Sequence, residues 1–136
     1  MNRKLLTRLL EKRGYTCDQA EDGQEAVDKV AEAEKANNPY DTILMDFEMP
    51  NKNGPTAAKE IREMGCDQFI VGITGNVLPE DVALFKENGA NWVFPKPVRI
   101  PDLEALWLEY GIVGRRVSSS EAPMTTVSLE STQCIL

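Results

Sequence analysis

Apolar and polar residues follow each other along this chain with two different periods. Over residues 2–13, Leu5, Leu6, Leu9 and Leu10 fall on one side of a 3.6-residue helix, with Arg and Lys on the other. Gly14 is placed to stop that helix. Tyr15 to Ala20 (YTCDQA) alternates apolar and polar, which predicts a short strand. Asp22 and Glu25 then form a capping-box pattern. They open a second helix with Ala26, Val27, Val30 and Ala31 inward, ending near Asn37-Asn38-Pro39. The next run, YDTILMD, is too apolar to have a wet face and predicts a central strand of a parallel sheet. Gly54-Pro55 opens a third helix with Ala58, Ile61 and Met64 inward, and Gly65 ends it. Gln68 to Thr74 (QFIVGIT) predicts a second buried strand. Pro79-Glu80-Asp81 begins a fourth helix carrying Val82 and Phe85 and stopped by Gly89. NWVF is a last short strand, and Pro101-Asp102 opens a fifth helix with Leu103, Leu106, Trp107 and Tyr110 on one face.

Strands alternating with helices of this length predict βαβ units, hence an α/β fold with a parallel sheet and helices on both faces. After Gly114 the pattern is lost. Residues 115–136 are rich in Ser and Thr without a helical period, which predicts a flexible tail behind a domain spanning residues 1–114. MTTVSL is the stretch of that tail with some strand character.

Composition narrows the class. At 136 residues, 42% hydrophobic and 27% charged, the chain is the size and make-up of one soluble domain. A net charge of -7 argues against a nucleic-acid surface. No apolar run reaches membrane-spanning length and no secretory segment follows Met1, so the expected setting is the cytoplasm. Cys17, Cys66 and Cys134 are too few and too far apart for a disulfide framework or a zinc pattern. The absence of histidine removes Ser-His-Asp and Cys-His catalysis.

In an open parallel sheet, ligands bind at the carboxyl ends of the strands. Asp46 ends one predicted strand, Thr74 ends the next, and Lys96 follows the third in VFPKPV. Each alone has a plain reading: Asp46 as a cap, Thr74 as a turn residue, Lys96 as a solvated lysine. Together they suit phosphoryl chemistry, with a carboxylate to accept the group and an ammonium and a hydroxyl to hold its oxygens. At ILMDFEMPNKNG, IVGITGN and FPKPV, together with AEDGQEAV, the chain resembles the receiver domains of two-component response regulators and hybrid histidine kinases over roughly residues 2–110. The resemblance implies a flavodoxin-like sheet of order 2-1-3-4-5. It makes Asp46 the phosphoacceptor, Thr74 the switch hydroxyl and Lys96 the phosphate contact, and implies a cis bond between Lys96 and Pro97. It also implies that Asp46 and the backbone carbonyl of Glu48 are ligands of Mg2+, that Asn76, Met49 and Pro97 form the site rim, and that the phosphoryl donor is a histidine kinase or histidine phosphotransfer protein. The domain would then be a signalling module rather than an enzyme.

The likeness breaks at the N-terminus. A receiver begins with a strand ending in an acidic pair that helps to seat Mg2+, whereas MNRKLL already resembles the first helix. With that strand missing, about four strands and five helices are expected, and Mg2+ binding weak or lost. Two strands would be left with unpaired edges. The second strand could shift beside the third, the tail or a neighbouring chain could fill the gap, or the natural protein could start further upstream; the last is the expectation. Beside the phosphoacceptor stand two other readings: a pseudo-receiver that acts by protein contact without a phosphate cycle, and an aspartyl-nucleophile phosphatase, which would want an Asp where Glu48 stands.

Overall fold

In the computed structural model the described residues are 3–15, 17–37, 39–75, 78–110 and 132–135. Five helices and five strands follow in the order α1 (Arg3–Lys12), β1 (Asp18–Ala20), α2 (Gly23–Lys35), β2 (Thr42–Asp46), α3 (Gly54–Glu63), β3 (Phe69–Thr74), α4 (Pro79–Glu87), β4 (Trp92–Pro95), α5 (Ile100–Glu109) and β5 (Thr132–Ile135). The strands form one parallel sheet, β1-β5-β2-β3-β4.

The period-2 logic of a strand buried on both faces organises the core. All five residues of β2 and all six of β3 are buried. Leu44, Val71 and Ile73 enter a cluster with Leu6, Leu10, Leu103, Leu106 and Trp107 from α1 and α5. Ile43, Met45 and Ile70, one position out of phase, enter a second cluster with Ala26, Val30, Ala58, Ile61 and Phe85 from α2, α3 and α4. Of the leucine stripe on α1, Leu6 and Leu10 are buried while Leu5 is exposed. Trp107 is a core residue packed edge-on to Tyr15 with centroids 5.3 Å apart, and Tyr110 is exposed. Cys17 is half-buried and Cys66 is buried.

Local signals act where the residue types place them. Asp22 caps α2 by accepting the Glu25 amide at 2.8 Å, and Asn53 caps α3 by accepting that of Thr56 at 2.9 Å. Gly65 and Gly89 take positive φ after α3 and α4. Arg62 donates to the Gly89 and Cys66 carbonyls and to the Asn91 side chain, and so ties α3 to the start of β4.

The tail departs from expectation. Residues 132–135, assigned to a flexible segment, form β5 and lie between β1 and β2. The physical reason is the gap itself: β2 is buried throughout, and each unpaired buried backbone group costs roughly 1–3 kcal/mol. The strand is TQCI rather than MTTVSL, whose residues lie outside the described ones. The four strands between residues 18 and 95 are those expected, and β2 finds a partner on its open edge without β1 moving beside it.

Candidate functional site

The site lies at the carboxyl ends of β2, β3 and β4. Asp46 is the last residue of β2 and is only 6% exposed. Its register partner on β3 is Ile73, so Thr74, 3% exposed, ends one residue further along the neighbouring strand. Thr74 is paired in turn with Pro95, and its carbonyl accepts the Lys96 amide at 2.8 Å. That bond fixes where Lys96 leaves β4. The Lys96 side chain crosses to Asp46, with Nζ 2.6 Å from Oδ2. The other carboxylate oxygen, Oδ1, accepts the Glu48 amide at 3.3 Å. The Lys96-Pro97 bond is cis.

The turn after Asp46 is held from three sides. The Phe47 amide donates to the Ile73 carbonyl, and the Gly54 amide donates back to the Phe47 carbonyl, both at 2.8 Å. Gly54 is tight for a physical reason: a Cβ there would stand 2.3 Å from the Asp46 carbonyl oxygen and 2.6 Å from the Phe85 ring. On the α2 side, Asn51 donates to Asp22 Oδ2 at 2.6 Å, and a Cβ on Gly23 would stand 2.1 Å from the Lys52 carbonyl oxygen. Asp22 is therefore more than a helix cap. Its carboxyl is held below the usual range, first by the Glu25 amide and then by the Asn51 amide. The sequence signal was the capping box alone, and nothing in it reaches across to Asn51.

Asp46 and Lys96 are thus in direct contact, and Thr74 ends the strand between them. Met49 is half-buried against the α2–α3–α4 cluster and Pro97 is exposed. The Glu48 side chain is exposed, while its amide serves Asp46. Asn76 lies outside the described residues. Among the described residues, no three Asp, Glu, Cys or His side chains gather to hold a metal. Asp46 is the carboxylate of the site, and Lys96 takes one of its oxygens. Among the described residues, no helix is long and apolar enough to cross a membrane.

A buried carboxylate, an ammonium in contact with it and a hydroxyl-bearing residue at the carboxyl edge of a parallel sheet define a doubly wound α/β domain with a site for a small anionic group. A family model described as the response regulator receiver domain matches residues 1–107. The Arabidopsis thaliana two-component response regulator 24 is 36% identical over 103 residues, covering 76% of this chain and 71% of that protein. The chain belongs to the response regulator receiver domain family. The Salmonella typhi sensor histidine kinase RcsC is 33% identical over 122 residues, covering 90% of this chain. The chain spans 12% of the length of that kinase and 5% of the Candida albicans histidine protein kinase 1. Among solved structures, the receiver domain of a Pseudomonas aeruginosa sensor histidine kinase, with magnesium in its active-site cleft, matches with a TM-score of 0.68 and 29% identity, covering 80% of this chain and 87% of that one. The receiver domain of a Saccharomyces cerevisiae response regulator, solved with its histidine phosphotransfer protein, matches with a TM-score of 0.70 and 26% identity, covering 82% of each chain.

Proposed function

We propose that Asp46 is the phosphoacceptor of this receiver domain, that Lys96 and Thr74 hold the transferred group, and that the donor is a phosphohistidine on a histidine kinase or phosphotransfer protein. A carboxylate oxygen of Asp46 attacks phosphorus. The bond from phosphorus to the histidine nitrogen breaks as the new P–O bond forms, and the leaving imidazole takes up a proton. Lys96 balances the charge on the acceptor before transfer and on the phosphoryl oxygens after it. The observation that carries this reading is the 2.6 Å Lys96–Asp46 pair at the ligand edge of the sheet. The partner class rests on the kinase relatives and on the neighbour solved with a phosphotransfer protein. On this reading the domain signals by conformational change in the cytoplasm, and comprises residues 1–114 completed by β5.

The test is incubation of the full chain with a small-molecule phosphodonor and Mg2+. One acid-stable, base-labile phosphoryl group is expected, and Asp46→Asn should abolish it. Equal uptake by that variant would overturn the assignment.

A second reading, a pseudo-receiver acting by protein contact, is favoured by the donor set at Asp46. A magnesium site usually needs one or two carboxylates in near-octahedral geometry. Among the described residues one is in place, and it is paired with a lysine. On that reading Mg2+ affinity is weak or lost. A Mg2+ titration followed by tryptophan fluorescence decides: Asp46-dependent binding at micromolar-to-millimolar Mg2+ would count against it.

A further inference from the structure

β1 and β2 are not paired with each other. Each is paired with β5: Asp18, Gln19 and Ala20 with Gln133, Cys134 and Ile135 on one side, and Thr42, Ile43 and Leu44 with Thr132, Gln133 and Cys134 on the other. The main chain of four residues therefore joins β1 to the rest of the sheet. Helix α1 lies over the same strand, and its Leu6 and Leu10 are fully buried. These four residues come from the far end of the chain, separated from α5 by residues 110–131.

Pairing of this kind is read by backbone donors and acceptors, the mode by which sheets accept extended peptides. A slot with a strand on each side offers twice the pairing of an open edge. Its place in the molecule matters as well. Leu44, the last β2 partner of β5, lies two residues before Asp46. Ala20, the last β1 partner, lies two residues before Asp22, which holds Asn51 in the loop after Asp46. The inserted strand thus sets the register between both flanks of the site.

We propose that the slot between β1 and β2 is a strand-accepting site, that its occupant is the chain's own segment 132–135, and that seating this segment holds β1 and the start of α2 against the Asp46 edge. Whatever withdraws the segment loosens that edge. What that loosening does to phosphoryl uptake rests on Asp46 being the phosphoacceptor.

The test uses the full chain carrying Cys17→Ser and Gln19→Cys, which puts a thiol in register with native Cys134. Paired residues on neighbouring strands lie about 5 Å apart, within the roughly 4.4–6.8 Å between Cα atoms that a disulfide spans. Mild oxidation should give an intramolecular disulfide between position 19 and Cys134, at least tenfold faster than with Asp18→Cys in place of Gln19→Cys. Equal rates at the two positions, or a disulfide joining two chains, would overturn the proposal. In the oxidised protein, amide hydrogen exchange at Asp18–Ala20 should slow at least tenfold relative to the reduced protein. Exchange unchanged by locking would refute the claim that seating holds β1. Absence of phosphoryl uptake by the wild-type chain would sink the phosphoacceptor reading and leave the cross-linking result standing, so the two fail separately.

Discussion

β2, β3 and β4 succeed one another along the chain through α3 and α4 and bring Asp46, Thr74 and Lys96 to one edge of the sheet. β1 and β5 lie on the other side of β2 and come from opposite ends of the described chain. The first side is held by side chains: Phe85 is fully buried, stands edge-on to Phe47 with centroids 5.6 Å apart, and packs so close to Gly72 that a Cβ there would meet its ring at 2.6 Å. The β1 side relies more on the backbone ladder of β5, to which the buried Ala20, the Tyr40 hydroxyl donating to Asp18 at 2.6 Å and Lys29 of α2 reaching the Gln19 carbonyl add their contacts. Neighbouring segments can evolve close packing because they are always presented together. A distant segment joined by main-chain pairing is tolerant of its side chains and easier to part. The proposed chemistry sits on the densely packed side, and what departs from the receiver pattern sits on the other.

The largest effect expected is from Phe85→Ala, which removes a buried ring behind β3 and should cost about 3–5 kcal/mol in urea unfolding. A loss near 1 kcal/mol would mean that packing does not distinguish the two sides. Next is Gly54→Ala. The added methyl must displace the Asp46 carbonyl, a backbone atom that cannot swing aside, so roughly 1–3 kcal/mol should be lost. Phosphoryl uptake should fall with it, because the displaced residue is the proposed acceptor.

The densely packed side was also the legible one. Asp46, Thr74 and Lys96 each follow an apolar run, and a polar residue closing a buried strand is visible without a structure. The two-faced burial of β2 and β3 could be read from the same runs. What could not be read depends on contact across the chain. Thr132 to Ile135 are four residues in a Ser/Thr-rich stretch with no period, and only the open edges of β1 and β2 give them a reason to be a strand. The closeness of Gly54 to the Asp46 carbonyl and the link from Asn51 to Asp22 arise in the same way, from where loops meet.

Lys96→Ala probes the site with less disturbance. Among the described residues it leaves a nearly buried carboxylate with the Glu48 amide as its partner. The lysine side chain is 38% exposed, so solvent screens the pair, and the loss should be about 1 kcal/mol. A double-mutant cycle with Asp46→Asn should recover most of it, since removing both charges leaves neither unpaired. A cycle with no coupling would mean that the two charges are held independently.

The smallest effect concerns whether the two sides communicate. Asp22 belongs to the β1 side through α2, yet it grips Asn51 in the loop that follows Asp46. Its carboxyl is held below the usual range by the amides it accepts, so the folded state favours its ionised form. Such a group adds stability that is present above the unfolded carboxyl pKa of about 4, and loses it as pH falls through the lower folded value. Asp22→Ala should therefore lower Tm at pH 7 by a small amount, and the gap from wild type should narrow as the pH is taken below about 4. Asn51→Ala removes the second contact but keeps the cap, and should show a smaller gap with the same pH dependence. If Asn51→Ala also weakens phosphoryl uptake while leaving Tm nearly unchanged, the bond from Asn51 to Asp22 places the acceptor loop rather than merely holding the fold. That would make it the point where the β1 side reaches the chemistry. An uptake that follows Tm in every variant would confine the β1 side to support of the fold.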